Sequence, residues 1–265
     1  MTMRQALRQE LEKITQPLAI AVSDGVDSKA LAICAVEDLG YRPIIVSMTL
    51  SDRQSTDFRG AERFASAYGL EFVPVLLPVD AKIIERDIVT LVRTHKVFGK
   101  ASIECNWGFL YVCEALQKRE IDHLVTGLGC LHFQEGRNPG IQGVRENAAL
   151  FQKFRHRDFS KPNSSGMRDL RRIAASYGIT AHYPWKSPAL FNLWLNKTWA
   201  DLNKPLPKNP IRVEFPALRN NARHSNLQLG DSGIRDLLAA TAIRRWKPQA
   251  KSSKAAYNVV AGRAQ

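Results

Sequence analysis

The sequence predicts an α/β protein in which a parallel sheet carries helices on both faces and a mostly helical region follows. Three observations predict it. Short, mainly apolar runs at 17–22 and 43–48 have the length and composition of buried strands, and 71–77 reads as a further strand. Helical stretches separate them, and strict strand–helix alternation implies parallel pairing with right-handed crossovers. The 265 residues are 45% apolar and 24% charged, the balance of a folded globular chain, which excludes disorder as the main state.

The elements follow in order. Leu7, Leu11 and Ile14 recur at helical spacing among charges, so 4–14 reads as an amphipathic helix. The run Pro17-Leu18-Ala19-Ile20-Ala21-Val22 is the first strand and ends abruptly in Ser23-Asp24-Gly25-Val26-Asp27-Ser28. Residues 29–39 are helical with Gly40 as C-cap, and 43–48 form a second strand. The pattern repeats as a helix over 57–68, a strand over 71–77 and a helix over 81–94. After a break at Phe98-Gly99 come a helix over 107–118 and a short strand, His123–Thr126, running into Gly127-Leu128-Gly129. Residues 134–166 are polar and aperiodic and are expected to form a weakly ordered loop. Helices are expected over 167–177, 188–202 and 232–246. The prolines of Lys204-Pro205-Leu206-Pro207-Lys208-Asn209-Pro210 mark a break, and the basic tail is expected to fray. The chain divides on this reading into an α/β domain, 1–150, and a helical, basic region, 151–265.

Charge bears on partners. Lysine and arginine number 38 against 25 acids, a formal +13, and residues 205–265 hold eleven basic side chains against three acids, Glu214, Asp231 and Asp236. Such a surface suits a polyanionic partner, and equally serves solubility. The four cysteines, Cys34, Cys105, Cys113 and Cys130, contain no C-x-x-C pair, which argues against a disulfide framework or a four-cysteine metal site and fits a reducing cytoplasm. No apolar run approaches the ~18 residues a membrane span needs.

The chemistry concentrates at 23–28. A loop between a buried strand and a helix lies where open α/β sheets bind ligands. Gly25 allows successive N–H groups to face one side as an anion nest, the Ser23 and Ser28 hydroxyls add donors, and the helix N-terminus adds partial positive charge. Asp27 would repel a phosphate guest unless Mg²⁺ lies between them. An ordinary turn in which Ser and Asp cap the helix reads the same residues.

The loop Ser23-Asp24-Gly25-Val26-Asp27-Ser28 resembles the S-G-G-x-D-S loop of the N-type ATP pyrophosphatases, the PP-loop superfamily of asparagine synthetase, GMP synthetase, NAD synthetase, argininosuccinate synthetase and the tRNA thiouridylases. It lacks the Gly-Lys-Ser/Thr ending of a Walker A loop. Asp24 departs from the pattern by replacing a glycine and places a second negative charge at the loop. The resemblance implies the adenine nucleotide alpha hydrolase-like (HUP-type) fold, with ATP and Mg²⁺ as ligands. It assigns nucleotide contacts to Ser23, Asp24, Gly25, Val26, Asp27 and Ser28, adenine recognition to the backbone at Met48, and a second glycine motif to Gly127 and Gly129.

Within the superfamily the chain is most similar to the synthetase domain of asparagine synthetase, whose second motif reads S-G-x-G-x-D-E. Thr126-Gly127-Leu128-Gly129-Cys130-Leu131-His132 keeps the glycine spacing and replaces the acidic pair by Leu131 and His132. The resemblance therefore leaves Asp27 and Glu135 as metal ligands, or Asp24 as the compensating acid. Arg223 opens a segment through Ile234 that resembles a late family element, and Tyr183-Pro184-Trp185 stands at an aromatic-proline element. Lys186 and Arg223 are the catalytic candidates, neutralising pyrophosphate as it leaves. The loop begins at residue 23, which leaves no room for an N-terminal glutaminase, so an amine donor or a separate ammonia source is expected.

The resemblance implies a cytoplasmic ATP-dependent ligase. It would adenylate a carboxylate or carbonyl oxygen of a small-molecule or nucleic-acid acceptor, release pyrophosphate, and let an amine displace AMP. Two alternatives stand beside it: a tRNA sulfurtransferase using Cys105, and a degenerate domain that binds nucleic acid without turning over ATP.

Overall fold

The computed structural model describes residues 1–130, 147–161, 166–221, 230–247 and 252–262. Five strands, β1 (Leu18–Ala21), β2 (Ile44–Leu50), β3 (Phe72–Leu77), β4 (His123–Thr126) and β5 (Thr180–His182), form one sheet in the order β3-β2-β1-β4-β5. Every pairing is parallel. The α/β class read from the alternation is the class of the structure. The fifth strand comes from beyond residue 150, so the sheet draws on both parts of the chain.

Side chains alternate through the sheet into two cores. Ala19, Val46, Met48 and Leu124 enter one, against helices α4 (Ala81–Val89), α5 (Lys100–Gln117) and α7 (Met167–Ser176). Leu18, Ile20, Ile45 and Val125 enter the other, against α1 (Met3–Glu12), α2 (Val26–Ile33) and α3 (Thr56–Ala67). The period of two in strands buried on both faces explains why their runs read as continuously apolar. Helix α1 starts at a Thr2 capping box, and α2 and α4 each widen at their C-terminal ends into a π-helical turn, Cys34–Asp38 and Thr90–Thr94.

Several expectations are corrected. The stretch 134–166 is not loop throughout: α6 (Ala148–Ser160) begins at an Asn147 cap whose side chain accepts from the Leu150 N–H, and it buries Phe151 and Arg155. The remainder, 134–146 and 162–165, lies outside the described residues. The single helix over 188–202 is two, α8 (Pro188–Leu193) and α9 (Trp199–Asn203), because Thr198 and Asp201 form a capping box that starts a new helix. A further short helix, α10 (Asn209–Glu214), follows the proline-rich break. Beyond α11 (Ile234–Trp246) the described part of the tail is helical: α12 (Ser253–Val260) packs on α11 and α5 and buries Ala256 and Tyr257, while 248–251 and 263–265 lie outside the described residues. Helix α5 starts at Lys100, seven residues earlier than its pattern suggests.

Candidate nucleotide site

The chain runs β1 to β2 to β3 in one direction, then returns to place β4 on the other side of β1. That reversal opens a crevice beyond the carboxyl ends of β1 and β4, the position at which doubly wound sheets bind ligands. Both glycine-containing segments singled out in the sequence meet there.

The first is 23–28. Helix α2 begins at Val26, so Val26, Asp27 and Ser28 already lie in its first turn, three residues earlier than the sequence suggests. Their N–H groups belong to the set with no acceptor inside the helix. The loop is held by its own serines: the Ser23 N–H donates to Ser28 Oγ at 3.1 Å, the Gly25 N–H to Ser23 Oγ at 3.1 Å, and the two hydroxyl oxygens stand 3.4 Å apart. Gly127, just after β4, presses on this turn. A Cβ there would lie 3.1 Å from the Ser28 nitrogen, so the absence of a side chain leaves room over that N–H. Gly129 has a φ of +87°, which favours glycine, and it abuts Lys186.

Met48 lies on β2 beyond the end of β1. Val22 N–H donates to the Val46 carbonyl, so Val46, and two residues on Met48, direct their N–H and C=O toward the β1 side. In register β1 reaches only Val46, whereas β2 continues to Leu50 along β3. The Met48 backbone therefore faces the crevice beyond the end of β1. Its side chain turns the other way onto α5, where a Cβ on Gly108 would come within 2.1 Å of Sδ.

Asp24 corrects the expectation of a second negative charge beside phosphate. Its side chain turns inward and its Oδ1 accepts from Lys29 Nζ at 2.5 Å in a buried pair. Lys29 also donates to Asn221 Oδ1 at 2.9 Å, the Asp24 N–H donates to Asp57 Oδ1 at 3.1 Å, and Asn221 Nδ2 donates to the Asp24 carbonyl. Gly60 supplies the space, since a Cβ there would fall 2.3 Å from Asp24 Oδ1. Asp24 is thus paired with Lys29 beneath the loop.

Asp27 faces a different cation. Lys208 Nζ pairs with its Oδ2 from 181 residues away, while Oδ1 is buried with no hydrogen-bond partner. Trp185 Nε1 donates to the Asp27 carbonyl at 3.1 Å, so the aromatic-proline element does touch the loop. Cys130 lies against Asp27, and burial first, then the Asp27 charge, push its thiol well above the ordinary cysteine range. One carboxylate oxygen without a partner fits a Mg²⁺ ion carried in by phosphates, because Mg²⁺ keeps most of its shell from water and nucleotide and takes only one or two protein carboxylates. Among the described residues no cluster of three or more His, Cys, Asp or Glu side chains is placed to hold a metal.

Of the catalytic candidates, Lys186 sits beside Gly129 with its ammonium on the Asp158 carbonyl at 3.0 Å and over the Phe159 ring, and burial lowers its pKa. Arg223 and Glu135 lie outside the described residues, as do Leu131 and His132. From the late segment, Asp231 accepts from the N–H and hydroxyl of Thr56 and so caps α3 beside the same edge of the sheet. Cys105 stands on α5, where burial raises its thiol to about 11.

Lys208, Lys29 and Asn221 were not singled out by sequence. Lys208 stands in a proline-rich segment that reads only as a helix break, and nothing local links it to a loop 181 residues earlier.

No protein-family profile matches the chain, and no curated protein matches it in sequence. Solved structures similar to it in part include the following two. One is the U34-tRNA thiolase NcsA from Methanococcus maripaludis with its [4Fe-4S] cluster, at 16% identity and a TM-score of 0.46 over 98% of this chain and 76% of that one. The other is a predicted subunit of tRNA methyltransferase from Methanocaldococcus jannaschii, at 19% identity and a TM-score of 0.33 over 67% of this chain and 75% of that one. No helix among the described residues is long and apolar enough to cross a membrane.

Proposed function

We propose that the protein is an enzyme that binds Mg²⁺–ATP at the 23–28 loop, transfers AMP to a carbonyl or carboxylate oxygen of an acceptor, and releases pyrophosphate. The observation that carries this reading is the convergence of the Ser23–Ser28 turn, the α2 N-terminus and Gly127 at the switch point of the sheet. ATP brings three phosphates. The first-turn N–H groups of α2 and the Ser23 and Ser28 hydroxyls would donate to the phosphates, and Asp27 would hold the accompanying Mg²⁺, which would offset their charge. The Met48 N–H and C=O read the adenine edge. Attack of an acceptor oxygen on the α-phosphorus would then break the α–β bond and release pyrophosphate.

Activation of this kind needs no protein nucleophile, because AMP is the leaving group of the second step. In the main reading an amine from solution or from a partner displaces it and forms a carbon–nitrogen bond. Exposed basic residues, among them Arg157, Arg168, Arg244 and Arg245, with Lys247 just after α11, would suit a nucleic-acid acceptor.

Transfer of sulfur to tRNA with Cys105 as the sulfur carrier is the second reading, and a tRNA thiolase is what the name of NcsA states for that protein. It shares the adenylation step. Cys105, with its thiol held up near 11, offers little thiolate at neutral pH. The test is product analysis with carboxylate and RNA acceptors under amine or persulfide supply. AMP and pyrophosphate support the proposal, and ADP with phosphate overturns it. Retention of activity in Cys105→Ser and Cys130→Ser supports nitrogen transfer, whereas loss in either with a persulfide on the wild-type thiol supports sulfur transfer.

A further inference from the structure

Arg155 is a buried cation without an anion. It lies on α6 at 2% exposure, and among the described residues no carboxylate pairs with it. Asp158, the acid one turn along the helix, stands 3.8 Å from the Lys161 ammonium instead. The guanidinium packs against two rings, 5.4 Å from the Phe151 centroid and 5.7 Å from that of Phe191 on α8. Burial lowers its pKa to about 10, which leaves it charged at neutral pH. Nη1 is satisfied, donating to the Trp194 carbonyl and to Gln152 Oε1 at 3.2 Å. Nε and Nη2 are closed off from solvent and, among the described residues, have no hydrogen-bond partner. These two nitrogens share one edge of the guanidinium, the edge that takes both oxygens of a carboxylate in parallel hydrogen bonds.

From this we infer that Arg155 anchors an enclosed binding site under α6, whose occupant is a small ligand held by its carboxylate on the Nε–Nη2 edge. A buried charge with donors left unpaired is costly, and folded proteins satisfy nearly all such groups with protein, water or a bound ion. Water would satisfy the donors and leave the charge unmatched. A phosphate dianion would match the donors and bring a second charge, for which the Phe151 and Phe191 rings offer nothing. A carboxylate matches the edge in planarity, in its pair of oxygens and in its single charge. Other contacts hold α6 in place around that edge. Gln152 Nε2 donates to the Lys197 carbonyl at 2.8 Å, Phe159 stacks on Phe191 at 4.2 Å, and Lys186, beside Gly129, donates to the Asp158 carbonyl at 3.0 Å. The site thus lies one turn of α6 from the contact that ties this helix to the rim of the nucleotide crevice, and it does not depend on the nucleotide reading.

A bound carboxylate stabilises the folded state by mass action, which a purely structural arginine does not. Full-length wild type, Arg155→Met and Arg155→Lys are melted in rising sodium acetate or sodium propionate, with ionic strength held constant by sodium chloride, and in a parallel series with inorganic phosphate. Long equilibration allows for an enclosed guest. The wild-type melting temperature is expected to rise saturably by several degrees with either carboxylate and much less with phosphate. Arg155→Met is expected to show no response. Arg155→Lys is expected to need at least tenfold more carboxylate for half the rise, because an ammonium keeps the charge and lacks the two-point edge. No saturable rise in wild type with either carboxylate, or the same rise in wild type and Arg155→Met, overturns the site. A rise with phosphate that equals or replaces the rise with carboxylate overturns the assignment of the ligand. Should Arg155→Met not melt cooperatively, the Arg155→Lys comparison decides, and equal half-saturation in wild type and Arg155→Lys overturns the inference.

Discussion

Removal of the Asp24 carboxylate tests whether the departure from a glycine-rich loop is compensated within the fold. The Asp24 and Lys29 side chains are only 11% and 8% exposed and meet at 2.5 Å. Truncating one member of such a pair leaves the other charge buried and unpaired, which costs about 3–5 kcal/mol. Asp24→Ala should therefore lower the melting temperature by roughly 10 °C, at the 2–4 °C per kcal/mol usual for domains approaching this size. Lys29→Met should cost a similar amount. The double variant removes both charges and leaves only Asn221 Oδ1 short of a donor, a penalty of about 1–3 kcal/mol. The double loss should thus fall well below the sum of the singles, with a coupling of about 3 kcal/mol or more. Urea unfolding of the four proteins at one pH measures it. Additivity to within about 0.5 kcal/mol, or an Asp24→Ala variant as stable as wild type, would refute the buried-pair account.

Two further outcomes follow from the geometry. His182 on β5 lies 3.1 Å from His123, and burial first, then the neighbouring ring, lower its pKa to about 4. The folded state thus keeps it neutral where an unfolded chain takes up a proton near 6.5, so stability is full above about pH 6.5 and falls as the pH drops toward 4, by up to about 3 kcal/mol. His182→Gln should flatten the melting temperature across that window, and an unchanged slope would count against it. For the basic surface, labelled tRNA titrated at several salt concentrations should give a steep logarithmic slope that flattens when the exposed Arg244, Arg245 and Lys247 are changed to alanine. Absence of binding at low salt would remove the nucleic-acid acceptor.

How far the sequence reveals this depends on how local each signal is. Strands β1 and β2 are legible because both faces are buried and their runs are largely apolar, β3 because its run is apolar although one face is exposed, and the 23–28 loop because its residues are contiguous. Strand β5 is not, since Thr180-Ala181-His182 offers three residues of which only Ala181 is buried. Helix α6 hides for a different reason: its inward face presents an arginine, Arg155, one turn after Phe151, with its guanidinium over the Phe151 and Phe191 rings. A buried cation on a helix reads as a solvent-facing residue. The site divides in the same way. Gly127 stands in a recognisable glycine pair, but the partners that set the loop's charge, Lys29, Asn221 and Lys208, are defined by tertiary contacts.

The measurement that bears most directly on the nucleotide site is calorimetric binding of Mg²⁺–ATP to wild type and Gly127→Ala. The added Cβ would stand 3.1 Å from the Ser28 nitrogen, over the N–H that the phosphates are expected to use, in a position where the backbone conformation itself tolerates alanine. Saturable binding by wild type, competed by inorganic pyrophosphate and weakened tenfold or more in Gly127→Ala without a matching fall in melting temperature, is the predicted result. No binding by wild type, or equal binding by both proteins, would contradict the site.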